Sequence, residues 1–263
     1  ALIGGILIGL LVPILMLKGL VYERQARGRE VAEDIARASS RAQHLIGPLL
    51  LIESEETLLR ERRLRHGGQG EEVRREEVKR RTHRLVAPET LTIDNRLSAR
   101  ERRRGLFGAL AYTDQVDLEA RFVLPQAPPI EGERIAHRWL SASLVLGVGD
   151  ARGIQRIRAQ VDGSERRVEP GSLLGFIAEG VHVPLSPEGL AAGGELVLAL
   201  DAQLAGTQSL EWSPLAGEAS VSVEADWPHP SFQGQRLPDD PVVTDAGFSA
   251  RWSLSRLSSQ SLQ

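Results

Sequence analysis

Two histidines and their neighbours are the residues whose types could carry out chemistry. His182 lies in GVHVPL (180–185), and His229 lies in DWPHPSF (226–232) close to Asp226. An imidazole beside a carboxylate can transfer protons or help to hold a metal ion. The chain has no HExxH or GxSxG pattern and no closely spaced set of ligands. We therefore predict no catalytic residue, no metal site and no cofactor, and we interpret His182 and Pro184 as structural.

A second distinctive stretch is VGDARGI (148–154), which directly follows an apolar run. Gly149 and Gly153 allow backbone conformations that other residues resist. Asp150 and Arg152 can form a local ion pair or hydrogen-bond main-chain amides. The pattern predicts a turn in which Asp150 and Arg152 have a structural role.

The third stretch is WPHPSF (227–232), whose alternating prolines exclude a central strand. Pro228 and Pro230 fix the backbone, so that Trp227 and Phe232 can be presented at little entropic cost. We expect the two aromatic residues to clamp the end of a β body, with Trp227 buried and His229 hydrogen-bonded. The alternative is an exposed aromatic pair that grips a partner or the membrane surface. The Trp227–Pro228 bond is a candidate for the cis form.

The element that must position these stretches is the apolar opening run, residues 1–17, which contains no charged residue. As a helix it would span roughly 25 Å, and residues 18–22 extend it toward the ~30 Å of a bilayer core. We predict a transmembrane anchor over 1–22. Apolar residues then recur at helical spacing, which predicts an amphipathic stalk helix over 23–47 that stops at Gly47–Pro48; they are Val31, Ile35, Ala38, Ala42 and Leu45.

From residue 48 onward the pattern indicates strands. Apolar and polar residues alternate over 116–122 and 196–204, and 144–148 is continuously apolar. This predicts a mainly β, antiparallel and sandwich-like domain over 48–254, followed by a linker over 255–263. The segment 54–84, rich in glutamate and arginine, is predicted to be a solvated loop with a glycine-rich tip at 67–70. A strand over Thr90–Ile93 is predicted to end in a turn at Asp94–Asn95.

The composition limits the function classes. The 263 residues carry a formal net charge of −3 and include no cysteine. A nearly balanced charge gives no reason to expect a nucleic-acid partner. The absence of cysteine excludes disulfides and thiolate metal sites within this sequence. The predicted anchor makes the lipid bilayer the expected partner.

These motifs, in this order, resemble the CreD family of bacterial inner-membrane cell envelope integrity proteins. The resemblance rests on six features: the anchor with its internal Pro13, LIGP (45–48), VGDARGI (148–154), HVPL (182–185), WPHPSF (227–232) and GFSARW (247–252). It runs through nearly the whole chain and is loosest over 54–84. The residues that carry it are Gly149, Asp150, Arg152, Gly153, His182, Pro184, Trp227, Pro228, His229, Pro230 and Phe232.

The resemblance implies an inner-membrane protein with a large periplasmic domain after about residue 24. Arg24, Arg27 and Arg29 alone would favour a cytoplasmic body, so the periplasmic placement rests on the resemblance. It further implies a chain truncated before several C-terminal membrane helices, and a non-enzymatic role in envelope integrity under stress. The alternatives are a periplasmic module that senses or binds a peptide, glycan or lipid and, ranked below it, a membrane-tethered hydrolase.

Overall fold

A long N-terminal helix precedes a body of strands. The computed structural model describes residues 2–38, 40–65, 71–105, 107–191 and 193–255. The helices are α1 (Leu2–Ala38) and the short α2 (Pro187–Ala191). The strands are β1 (Gln43–Arg65), β2 (Glu71–Val86), β3 (Thr90–Arg104), β4 (Phe107–Val123), β5 (Arg134–Gly147), β6 (Ile154–Val161), β7 (Ser164–Arg166), β8 (Glu169–Pro170), β9 (Gly180–Leu185), β10 (Glu195–Thr207), β11 (Leu210–Ser213), β12 (Glu218–Ala225), β13 (Asp239–Thr244) and β14 (Gly247–Ser255).

The strands form two sheets. The first sheet has six strands in the order β11-β1-β5-β9-β8, with β2 also paired to β1, and the second has eight in the order β13-β14-β12-β3-β4-β10-β6-β7. Side chains of both sheets meet in one core, where Leu45, Ile93 and Phe122 are fully buried. Most neighbours are antiparallel, but β1 with β11 and β12 with β3 are parallel. The predicted mainly β, sandwich-like fold is confirmed.

The strands predicted from alternation are present. On β4, Val116, Leu118, Ala120 and Phe122 face the core, and the same period places Leu196 to Leu204 of β10 beside them. Alternation identifies these strands because each has one buried and one wet face. The predicted turn at Asp94–Asn95 is wrong, since β3 continues to Arg104 and Asn95 is buried within it.

The predicted helix boundary at 47 is also wrong. Helix α1 is continuous from Leu2 but ends at Ala38, and β1 begins at Gln43. Leu45 belongs to the sandwich core, and the Gly47–Pro48 bond, which is cis, lies within β1. The helical spacing over 42–45 fails because strand pairing and burial outweigh local propensity. The body therefore begins at 43 instead of 48.

The charged segment 54–84 is a strand pair and not a loop. β1 and β2 pair without a register break from Leu50 with Val86 to Arg65 with Glu71. Opposite charges face each other across the pair: Arg75 Nε lies 3.1 Å from Oε1 of its register partner Glu61. The glycine-rich tip (67–70) lies outside the described residues, as does most of the predicted linker (256–263).

Helix α1 contacts the body near its C-terminal end. Ala36 is buried, and the Phe107 ring at the start of β4 lies so close to Gly28 that a Cβ there would be 3.4 Å from it. Further toward the N-terminus, the apolar side chains of Leu15, Met16, Leu17, Leu20, Val21 and Tyr22 are exposed. None of the helices that the structure describes has the length and apolar content needed to cross a membrane.

Candidate functional site at the junction of helix and sandwich

The link between α1 and β1 enters the interior of the body. Ser40 and Gln43 are each 1% exposed, and Thr207 at the end of β10 is equally buried. Ser40 Oγ donates to the main-chain oxygen of Ala205, while Thr207 Oγ1 donates to the Ser40 carbonyl at 2.9 Å and Thr207 N to that of Arg41 at 3.2 Å. The polar groups of the link are therefore satisfied by β10, which fixes the path of the chain.

Asp150 forms the other half of this junction. It caps a 3₁₀ turn over Ala151–Gly153, and its side chain is only 4% exposed. Its carboxylate accepts hydrogen bonds from Arg41 N at 3.0 Å, Arg152 N at 3.1 Å, Arg152 Nε at 2.9 Å and Arg152 Nη2 at 2.6 Å. The Arg152 guanidinium, helped by the two amides and opposed by burial, lowers the pKa of Asp150 to about 2. Asp150 is therefore ionised at neutral pH, and the predicted local ion pair and amide cap are both present.

Gln43 connects the two halves. Its Nε2 donates to the carbonyls of Asp150 and Ala205, both at 3.0 Å, and its Oε1 accepts from Asp150 N at 3.3 Å. Ala151 N donates to a Glu179 carboxylate oxygen at 2.6 Å, which anchors the far side of the turn. We call the set Ser40, Arg41, Gln43, Gly149–Gly153 and Ala205–Thr207 the junction cluster.

Two glycines allow the junction cluster to close. A Cβ on Gly149 would lie 2.7 Å from His44 N and 2.8 Å from Ala42 O. One on Gly153 would be closer still to Gln43 Nε2 and Ala205 O. These glycines are needed for close approach. The predicted reason, a backbone conformation that other residues resist, is wrong, since neither glycine has a positive φ.

A buried pair of ionisable side chains lies on β4 beside the junction cluster. Tyr112 Oη donates to Ser209 O at 2.7 Å, and burial raises the pKa of Tyr112. Asp114 is 0% exposed, and neither of its carboxylate oxygens has a hydrogen-bond partner among the described residues. Burial raises the pKa of Asp114 to about 7, and the nearby Arg96 amide opposes the shift only in part. The sequence gave no reason to expect Asp114 to be buried, because aspartate is mostly exposed in proteins.

His182 is placed as a structural residue. It is buried on β9, and its Nδ1 is 2.9 Å from Gly171 O, while Nε2 is 3.7 Å from Glu169 on β8. Pro184 is exposed on the same strand, paired with Ser143 of β5. Strand β8 pairs only with residues 181–182, so Pro184 lies at a free edge where a missing N–H costs nothing.

The WPHPSF stretch covers an edge of the sandwich. Phe232 packs edge-on against Phe248 at 5.5 Å and Trp252 at 5.8 Å between ring centroids, both from β14. The prediction that Trp227 is buried is wrong, since the side chain is half-buried and its Nε1 donates to the carbonyl of His229 at 2.9 Å. It remains half-buried because the segment lies over the edge and does not enter the core.

The His229 side chain is not grouped with His182 or Asp150. Its exposed ring stands edge-on to Trp227 at 5.9 Å, so the predicted hydrogen bond involves its carbonyl and not its ring. The only cis bond in the described chain is Gly47–Pro48, so the one suggested at Trp227–Pro228 is trans. Pro230, like Pro228, is half-buried.

Asp226 is held away from His229 by β3. Its carboxylate accepts from Ala99 N at 2.7 Å and Ser98 Oγ at 2.9 Å, and the Ala99 amide is the main cause of its lowered pKa. His182 and His229 belong to segments of different sheets. Within the described ranges, no three His, Asp or Glu side chains are grouped closely enough to hold a metal ion.

Comparison with known proteins gives one consistent result. The family model "Inner membrane protein CreD" matches residues 1–263. The chain is 31% identical over 256 residues to the Escherichia coli (strain K12) protein named inner membrane protein CreD. The alignment covers 97% of this chain and 54% of that relative, so the chain spans about half the relative's length.

Proposed function

Because the chain belongs to the CreD family of inner membrane proteins, we propose that α1 anchors a periplasmic β sandwich that maintains envelope integrity without catalysis. In this proposal residues 1–22 lie in the inner membrane and those after about 24 in the periplasm. The exposed apolar side chains of Leu15–Tyr22 support the anchor, since outside lipid they would be in contact with water.

The observation that carries the proposal is the junction cluster. A flexible linker would leave the sandwich free to move relative to the helix, whereas here buried hydrogen bonds join residues 40–43 to β10 and to the turn after β5. Gly28 and Ala36 of α1 also lie against the body or within it. A rigid link of this kind transmits position and force between the bilayer and the sandwich, which suits a structural element of the envelope.

The non-enzymatic reading rests on how the polar residues are used. The carboxylates of Asp150 and Asp226 accept hydrogen bonds from main-chain amides. The buried His182 lies 2.9 Å from Gly171 O and 3.7 Å from Glu169, contacts that join β9 to the segment of β8. The partners that we expect are the bilayer and other envelope proteins.

The test uses the full-length protein in a host strain that lacks it. Survival under detergent stress is measured with wild type, Gly153→Val and His229→Ala, at matched protein levels in the membrane fraction. Gly153→Val forces the junction cluster apart and should abolish protection, whereas His229→Ala should leave it unchanged. Loss of protection with His229→Ala at normal protein level would contradict the proposal, because it would give His229 a direct role in catalysis or in partner contact.

A further inference from the structure

A polar recess opens where the first sheet extends beyond the sandwich. Along the inward face of β1, the buried Leu50 and Ile52 are followed by Ser54 and Glu56. The strand register places Thr82 and Trp139 on either side of Ser54, and Arg80 and His137 on either side of Glu56. With the loop after β4 these side chains enclose about 370 Å³; the lining also includes His83, Arg84, Pro128 and Arg134.

The recess has an excess of positive charge. Its lining contains Arg80, Arg84 and Arg134 against one acid, Glu56. Arg134 Nε lies 3.2 Å from Glu56 Oε1, in an ion pair without hydrogen-bond geometry, so the one acid is already neutralised. Within the described part of the chain, Arg80 and Arg84 have no acidic partner.

The opposite face of β2 shows that the excess of positive charge is confined to the recess face. Lys79 lies 3.6 Å from Glu55, and Arg81 lies 3.9 Å from Glu53. Lys79 and Arg81 on the outer face of β2 are therefore compensated, while Arg80 and Arg84 on the recess face are not.

An unsatisfied donor lines the same recess. The indole Nε1 of Trp139 is buried and has no hydrogen-bond partner among the described residues. Indole N–H groups usually find an acceptor when buried, so a partner supplied by a ligand would resolve this deficit. His137 stands edge-on to the Trp139 ring at 4.4 Å, which fixes its orientation.

We propose that this recess binds a soluble ligand through a phosphate or carboxylate group, with Arg80, Arg84 and Trp139 Nε1 as its donors. Guanidinium groups match both anions in shape and charge, and a recess of this volume accommodates a small molecule or the end of a larger one. The inference does not depend on the proposed role in envelope integrity.

The position of the recess favours a soluble ligand over a lipid. Helix α1 contacts β4 at its start, near Phe107, whereas the recess is bordered by Pro128, beyond the end of β4 at Val123. The 17 residues of β4 from Phe107 to Val123 span roughly 50 Å at ~3.3 Å per residue. The recess is thus at the end of the body remote from the helix.

Binding is tested with the detergent-solubilised full chain and two probes, inorganic pyrophosphate and citrate, by isothermal titration at low ionic strength. Arg80→Gln/Arg84→Gln should weaken binding of the preferred probe at least about tenfold, the order expected when charge-assisted hydrogen bonds are lost. The matched control, Lys79→Gln/Arg81→Gln, removes the same charge from the other face of β2 and should change affinity less than twofold. Trp139→Phe, which removes the N–H together with part of the aromatic ring, should also weaken binding.

Three outcomes would overturn the proposal. The first is no binding of either probe by wild type. The second is equal weakening by the two double variants, which would show a general charge effect. The third is binding only to vesicles containing phosphatidylglycerol, lost in Arg80→Gln/Arg84→Gln, which would assign the recess to lipid headgroups.

Discussion

The Asp150 carboxylate provides the sharpest test of the junction cluster. Replacement by Asn keeps the shape but removes the charge that accepts from Arg41 N and from the backbone and side chain of Arg152. The native pKa is about 2 against an ordinary 3.8, and a shift of this size corresponds to about 2 kcal/mol at ~1.36 kcal/mol per unit. Because Arg152 is half exposed, we expect this value and not the ~3–5 kcal/mol of a fully buried pair.

The assay is thermal unfolding of the full chain in detergent at pH 7. A loss of about 2 kcal/mol should lower the melting temperature by roughly 4–8 °C for a chain of this size. The matched control is Asp162→Asn. Asp162 is exposed and accepts one hydrogen bond from Val197 N, so this substitution should shift the melting temperature by less than about 1 °C.

The pH dependence has a definite sign. Since the folded pKa of Asp150 is lowered, its contribution is complete above about pH 4 and is lost as the pH falls toward about 2. Wild type and Asp150→Asn should therefore converge in stability at low pH. Equal melting temperatures at pH 7, or a difference that persists unchanged at pH 2, would refute the reasoning.

Three further predictions concern other parts of the body. The pKa of Asp114 is raised to about 7 from 3.8, so the free energy of unfolding of wild type should fall by about 4 kcal/mol as the pH rises from about 4 to about 7. In denaturant titrations, Asp114→Asn should reduce this dependence of the unfolding free energy on pH. An unchanged dependence would contradict the prediction. Gly153→Ala should cost about 3 kcal/mol by overpacking, whereas Gly175→Ala, with open space around it, should cost less than about 0.5 kcal/mol in the same titrations. Phe232→Ala should destabilise the chain more than Trp227→Ala, because only Phe232 packs on β14; a larger effect at Trp227, or normal stability with lost envelope protection, would make this stretch a partner site.

The sequence predicted those features whose causes are local. The alternation of apolar and polar residues predicts β4 and β10, because each of these strands has one buried and one exposed face. The Asp150–Arg152 pair follows from a spacing of two residues within one turn. By contrast, Gln43 and Thr207 join the junction cluster from more than 160 residues apart, and nothing local in either marks its partner.

Two of the wrong predictions share a physical cause. The described side chains over 55–61 and 75–85 are half-buried or exposed, so this part of the β1–β2 pair lacks the apolar alternation that reveals a strand. Opposite charges such as Arg75 and Glu61 face each other across the register. Asn95 resembles a turn residue, but its amide donates to Ser222 O at 2.8 Å and accepts from Trp212 at 3.0 Å. In both cases tertiary partners outweigh local propensity.

The periplasmic placement of the sandwich is tested most directly by labelling a single cysteine in cells. The sequence contains no cysteine, and Ser164, exposed on β7, can be replaced by one with little change in shape. A maleimide that cannot cross the inner membrane should label Ser164→Cys in intact cells whose outer membrane has been permeabilised. Labelling only after the inner membrane is lysed would place the sandwich in the cytoplasm and contradict the account.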